Sequence, residues 1–380
     1  MRGNKPLFPV FVLFPALLLI FVACGSQEKD KNPDESSGNW QEVPLKYAQD
    51  VQIEKRAGHT RLTIFPEGSE SGRNPETFYL VSDSSEAASS EDAIPVPCEK
   101  IVCLSSTQLA YFFELEDIDD IVGINSSRYL FHEEMNRKVQ SGEVKRVGKE
   151  GQFNLETLAA LDPDVIFVSP FKTGGYDALL NMGIPLVPMS AYSEKTPLGR
   201  AEWIKVMALF VDREEKADSL FQYMDKCYTS LKEKAAEVEK QPTVFSGKMR
   251  SGSWYVPGGE SFYAHFFRDA GAEYVIKDDE EDAYPTGFET IYKKAANADY
   301  WRVVHPEKRD LTLEAFLDQD SRYADFKAAR EGGILLCNIR KKPYYEQAPV
   351  KPHVILADYI YHFHPSLLPD YEPYFYEKLK

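Results

Sequence analysis

The sequence is poor in the signatures of catalysis. Its 380 residues contain no GxxxxGKS/T phosphate loop, no GxGxxG, no GxSxG and no HExxH, and His132-Glu133-Glu134 lacks the second histidine. The common nucleotide-binding, hydrolase and zincin chemistries therefore have no seat here, and the expectation is a protein that is not an enzyme. Metal-binding side chains are equally sparse. Five cysteines show no CxxC spacing, and the histidines are scattered at 59, 132, 265, 305, 353, 362 and 364 with no His-rich loop. That pattern argues against direct chelation of a free metal ion. Positive charge is short too: 44 basic against 60 acidic residues give a net charge of −16. This balance argues against a nucleic-acid partner and against an electrostatic membrane patch.

The one long apolar run is at the amino terminus. Arg2 and Lys5 precede Leu7 to Ala23, which ends Val22-Ala23-Cys24-Gly25. A basic start, a short apolar core and small residues at the cut describe a secretory signal over residues 1–23. The cysteine just after the cut resembles the lipobox of bacterial lipoproteins, which marks Cys24 as the acylated first residue of the mature chain. Removing residues 1–23 takes away Arg2 and Lys5, leaving 42 basic against 60 acidic residues and a net of −18. Residues 24–39 are polar and support no core; they read as a flexible tether from the membrane. The expected location is the cell envelope, on the periplasmic side or the outer surface. Cys98 and Cys103 are expected as buried free thiols, although an exported chain has access to disulfide chemistry.

Beyond the tether the texture changes twice. Residues 40–94 alternate as β-strands at Val51 to Lys55, Thr60 to Phe65 and Phe78 to Val81, followed by a Ser/Glu-rich linker. From Lys100, short apolar strands alternate with helices, which implies a mostly parallel sheet covered on both faces. Residues 95–199 form one such unit and 242–380 a second. Between them, within 200–241, Glu214 to Glu239 repeats apolar residues at three-and-four spacing and predicts one long helix, with Asp212 as N-cap and Pro242 closing the far end. The flanks of this helix repeat one another. Asn154-Leu-Glu156-Thr157 leads through a short helix to the strand at Val165, and Gly287-Phe-Glu289-Thr290 leads through another to the strand at Trp301. The predicted fold is α/β: two lobes with mostly parallel sheets, joined by one long backbone helix, plus a small N-terminal β extension.

The lipobox, the two lobes and the spanning helix together resemble the substrate-binding proteins of iron-siderophore, haem and cobalamin ABC importers, the helical-backbone class of periplasmic binding proteins. The likeness covers about residues 95 to 380. It is carried by the stretches beginning Lys100-IVCLSSTQL, Arg146-Val-Gly148 through Asn154-LETLAALDPDVIFV, Trp254-YVPGGESF and Asp269-AGAEY. The β extension is not part of the core family, and the His364-Pro365 tail is a lineage-specific ending. The resemblance implies a monomer that hands its ligand to a permease dimer, with one exposed carboxylate per lobe docking onto permease arginines. By position these match Glu156 and Glu289. Rigidly spaced carboxylates suit bidentate guanidinium pairing, and both positions also suit a helix N-terminus.

Ligands of open α/β sheets lie beyond the carboxyl ends of the strands. The loops there carry basic residues among aromatics despite the acidic chain. Arg250, Trp254, Tyr255, Arg128, Tyr129, Lys172, Tyr176, Tyr192, Arg340 and Tyr344 are the candidate ligand contacts, with Arg250 and Trp254 foremost. Charge-assisted hydrogen bonds and stacking from such residues suit a planar or aryl-bearing anionic complex. No cofactor is expected; the ligand implied is a metal chelate, first a ferric siderophore, then cobalamin or cobinamide, then haem. A surface adhesin or scaffold lipoprotein is the alternative of a different class. The stiff spanning helix implies small lobe motion on binding.

Overall fold

A computed structural model describes residues 39–65, 74–82, 93–149, 152–169 and 176–380. The signal segment, Cys24, most of the tether and Lys172 lie outside the described residues. No described helix is long and apolar enough to cross a membrane.

Strands β1 (Gln41–Val43), β2 (Val51–Arg56), β3 (His59–Ile64), β4 (Glu76–Val81) and β5 (Ala93–Pro95) form the extension as one sheet in sequence order. It is antiparallel as far as β4, and β5 then runs parallel to β4, where the expected linker ends and the next lobe begins. The alternation of β2 and β3 turns Val51, Ile53, Leu62 and Ile64 inward. These side chains share a core with Ile101, Phe112 and Phe210 of the following lobe. The extension therefore packs on the N-terminal lobe and has no separate core.

That lobe comprises β6 (Ile101–Cys103), α1 (Ser106–Leu115), β7 (Ile121–Ile124), α2 (Glu133–Ser141), β8 (Lys145–Arg146), the small hairpin β9 (Gly148–Lys149) and β10 (Gln152–Phe153), α3 (Leu155–Leu161), β11 (Val165–Val168), α4 (Asp177–Leu180) and β12 (Leu186–Pro188). Its sheet runs β12-β11-β6-β7-β8, all parallel. Every residue of β6 and β11 is buried, as strands covered on both faces require. Cys98 and Cys103 are buried free thiols.

The connection that precedes the long helix holds two short helices that meet at Trp203, α5 (Pro197–Glu202) and α6 (Ile204–Ala208). The spanning helix α7 covers Glu214–Ala236, 23 residues, roughly 35 Å at 1.5 Å per residue. Its predicted cap is wrong. Asp212 has φ of 53° and lies outside the helix, and Arg213 stands at the N-cap without a side-chain bond. A left-handed residue cannot take the extended N-cap geometry; Glu214 and Glu215 in the first turn complement the dipole instead.

The C-terminal lobe contains β13 (Thr243–Ser246), β14 (Lys248–Arg250), β15 (Ser253–Pro257), α8 (Phe262–Asp269), β16 (Glu273–Tyr274), β17 (Ala283–Thr286), α9 (Phe288–Ala295), β18 (Tyr300–His305), α10 (Leu313–Leu317), α11 (Lys327–Arg330), β19 (Ile334–Asn338), α12 (Tyr344–Gln347), α13 (Pro352–Phe363) and β20 (Glu377–Lys378). Its main sheet runs β16-β13-β18-β19-β20, with only the edge strand β20 antiparallel. The sequence repeat is now visible as topology. Strand order β7-β6-β11-β12 in one lobe matches β16-β13-β18-β19 in the other, and the repeated Glu-Thr helices α3 and α9 each feed the corresponding strand, β11 and β18.

Candidate functional site

The carboxyl ends of β6, β11 and β12 release the chain at Ser105, Ser169 and Met189. These residues line a cavity of about 60 Å³ together with Thr107, Gln108 and Tyr111 of α1, Ala191, Tyr192, Arg200 of α5 and Pro349 from the other lobe. Local sequence explains the geometry. Ser105 caps α1 through a reciprocal bond with Gln108, whose Oε1 accepts the Ser105 N–H at 3.0 Å. Thr196 caps α5 and Pro197 occupies its first turn, which carries Arg200 to the cavity. Arg200 donates from Nε to the Glu194 carbonyl at 3.1 Å, lies 3.6 Å over the ring of Phe262, and has its own carbonyl held by the Tyr111 hydroxyl at 2.7 Å. Enclosure in protein lowers its pKa below the usual guanidinium value, although it stays charged.

A second guanidinium lies on the C-terminal lobe. Arg302 of β18 is 5% exposed; it donates from Nε to Tyr376 at 2.8 Å and from Nη1 to Ser246 at 3.2 Å, while Nη2 is buried with no partner. Its charge is met by rings, with Tyr263 at 3.6 Å and Tyr376 at 5.7 Å. No carboxylate pairs with Arg200 or Arg302 among the described residues. Tyr263 and Tyr344 stand in the field of both cations, with their hydroxyls 3.5 Å apart. Burial alone would raise the Tyr263 phenol, but Arg302 first and then Tyr344 and Arg200 carry it below its ordinary value, whereas burial dominates at Tyr344 and raises it.

The lobes meet beside this cluster. The Phe131 N–H donates to Glu346 at 2.8 Å, Arg340 donates to the Arg128 carbonyl, and Lys195 pairs with Glu281 at 2.5 Å. Arg128 and Arg340 each lie 5.3 Å from the Tyr129 ring, which packs edge-on against Tyr345 at 5.0 Å.

The expected contacts thus separate into groups. Arg128, Tyr129 and Arg340 come together at the lobe junction, Tyr192 lines the cavity and Tyr344 joins the cationic cluster. Tyr176 is stacked on Phe153 at 5.9 Å, with its hydroxyl on Ser169. Trp254 is corrected outright: it is fully buried among Phe245, Trp301 and Phe326, with Nε1 on the Ser246 carbonyl at 3.1 Å. The segment taken as a loop is the hairpin β14–β15, whose alternation sends Trp254 inward and Tyr255 outward at 44% exposure. Arg250 stands exposed at the hairpin tip, opposite Ser253. Glu156 and Glu289 are both exposed in the first turns of α3 and α9, the latter 3.8 Å from Arg322. Sequence reasoning missed Gln108, Tyr111, Arg200, Tyr263 and Arg302. Arg302, a lone cation in the middle of a buried strand, had a readable signal; Arg200 did not, because Glu202 and Lys205 share its connecting segment. Among the described residues no group of three or more His, Cys, Asp or Glu is placed to hold a metal ion; His362 and His364 each bond a backbone carbonyl instead.

Known proteins agree with this architecture. An uncharacterized lipoprotein of Methanocaldococcus jannaschii is 25% identical over 299 residues, covering 75% of this chain and 70% of the relative. An ABC-type Fe3+-hydroxamate transport system protein from Saccharomonospora viridis superposes with a TM-score of 0.55 at 20% identity, over 70% of this chain and 94% of that one. The molybdate-bound binding protein MolA of Haemophilus influenzae superposes with a TM-score of 0.56 at 17% identity, over 73% and 90%. The periplasmic binding protein family model matches residues 101–338, from the first strand of one lobe to the last parallel strand of the other. With two topologically matched lobes, a single spanning helix and that match, the chain belongs to the periplasmic binding protein family, the substrate-binding proteins of ABC importers.

Proposed function

We propose that this chain is a lipid-anchored binding protein that captures an anionic iron chelate, a ferric siderophore, between its lobes and delivers it to an ABC importer permease. The observation that carries the reading is the pair of guanidiniums, Arg200 and Arg302, held among Tyr111, Tyr263, Tyr344 and Tyr376 without a carboxylate. A buried cation left to rings and hydroxyls is costly unless an anion completes it. Ferric catecholate and carboxylate siderophore complexes supply that charge on oxygen donors, and the catecholates carry aryl groups for the tyrosines. The molybdate protein of the same fold supports an oxyanionic ligand, and the Fe3+-hydroxamate protein an oxygen-donor iron chelate.

Titrating the full chain in detergent with ferric catecholate and hydroxamate siderophores, cobalamin, haem, zinc and manganese tests the assignment by absorbance and tryptophan fluorescence. Saturation by a ferric siderophore at submicromolar concentration supports it; preference for haem, cobalamin or free metal overturns it. For delivery, Glu156 and Glu289 are the docking carboxylates. The Glu156→Ala/Glu289→Ala double variant is expected to bind ligand normally and to lose stimulation of its permease; unchanged transport removes the docking role.

A further inference from the structure

Among the described residues, the polar lining of the cavity at Arg200 consists of donors and includes no acid. Gln108 is 1% exposed, and its Oε1 is committed to the Ser105 N–H at 3.0 Å. That bond fixes which end of the amide is which, so it is Nε2, buried and without an acceptor, that remains. Ser105 Oγ and Thr107 Oγ1, 2.9 Å apart, stand on the same wall at the N-terminus of the ten-residue α1, where first-turn N–H groups have no helical acceptor. Arg200 completes the lining from α5. The neighbouring acids are turned elsewhere: the Glu194 carboxylate accepts from Gln49 N at 2.9 Å, Asp50 N at 3.0 Å and Trp203 Nε1 at 3.0 Å, and that of Glu202 accepts from the N–H groups of Lys46, Tyr47 and Ala48. The volume of about 60 Å³ corresponds to roughly four to six water positions at ~10–15 Å³ each. That is room for one tetrahedral oxyanion or one carboxylate, not for a chelate body.

We infer that this cavity is a subsite for a single compact oxyanion group, held by Arg200, the Gln108 amide and the hydroxyls of Ser105 and Thr107. The inference rests on the reading of the cleft as a small-molecule site and names the chemistry of one point in it. The group is either a free oxyanion or a carboxylate arm of a larger ligand, and the two sources give different titrations.

The test is calorimetry on the full chain in detergent. Its probes are molybdate, sulfate and phosphate as free oxyanions, ferric citrate as a carboxylate-bearing chelate and ferrioxamine B as a carboxylate-free one. Gln108→Glu keeps an acceptor for the Ser105 N–H and replaces the free donor by a carboxylate; Arg200→Gln removes the charge, and Arg200→Lys restores it. Circular dichroism and melting confirm that each variant is folded. Saturable binding of a free oxyanion, weakened about tenfold or more in both Gln108→Glu and Arg200→Gln and partly restored in Arg200→Lys, is the expected result for the first source; one tenfold step is the scale of a single charge-assisted hydrogen bond. The same losses for ferric citrate alone assign the group to a ligand arm. Binding of ferrioxamine B, whose complex carries no negative charge, with no response to either variant, and none of the oxyanions or citrate, overturns the subsite and the anionic requirement and leaves the iron-chelate reading standing. No binding of any of these probes overturns the subsite, and no binding of a ferric catecholate added to the series overturns the chelate reading as well.

Discussion

Glu346 is the residue at which pH and the lobe junction meet. It is 3% exposed and accepts the Phe131 N–H from the opposite lobe. Burial pushes its carboxyl up from 4.5 to about 7, against the opposing pull of the Phe131 and His132 N–H groups. The folded chain therefore retains a proton that the unfolded chain releases in this range. The contribution to stability is complete below pH about 4.5 and is lost as pH rises to about 7. Glu346→Gln keeps an acceptor and cannot ionise, so its melting temperature is expected to fall less than that of the parent between those values. Parallel slopes for the two proteins count against this account. The residue scale is also where the sequence was least legible. Trp254 and Tyr255 adjoin, and only the pleat of β15 decides that one is core and the other surface. Arg302 is legible as a lone cation inside a buried strand, but its partner Tyr263, 39 positions earlier, is visible only in the fold.

At the scale of elements, the β extension is strapped to the helices between the lobes by two buried carboxylates. Glu202 is fully buried and accepts Lys46 N at 2.9 Å, Tyr47 N at 2.7 Å and Ala48 N at 3.0 Å; Glu194 takes the next two N–H groups. Tyr47 continues the strap to the spanning helix through Asp225 at 2.7 Å. Gly199 belongs to the same joint, since a Cβ there would lie 3.2 Å from the Tyr47 carbonyl and 3.0 Å from Glu194 Oε2. Glu202→Ala leaves three N–H groups without their acceptor and is expected to cost about 2–4 kcal/mol. Denaturant unfolding of the full chain measures this, and a loss below about 0.5 kcal/mol, the scale of an ordinary surface substitution, shows that the strap is not structural. Strand and helix periodicities were legible because burial on both faces leaves continuous apolar runs. The strap was not, because carboxylates that accept backbone N–H groups some 150 positions away carry no local pattern.

For the whole molecule, the repeat of short Glu-Thr helices predicted two equivalent lobes, and the matching strand orders confirm it. What that pattern left unread was the join. The extension shares the first lobe's core, and α13 packs along α7, so the spanning helix is braced by the tail as well as by its own hydrogen bonds. A braced helix resists hinging. Small-angle scattering is accordingly expected to give nearly the same radius of gyration with and without a saturating ligand; a marked contraction contradicts this rigidity.

On the proposed function an anionic ligand completes the charge of Arg200 and Arg302, which no carboxylate pairs among the described residues, and Arg302→Met removes one half of that arrangement. Replacing a buried charge by an apolar side chain of similar reach is expected to leave stability within about 1 kcal/mol of the parent or above it. In a titration with the ferric siderophore that the parent binds most tightly, the same variant is expected to lose about tenfold or more in affinity. A variant that folds as well as the parent and binds that siderophore equally tightly would contradict the account.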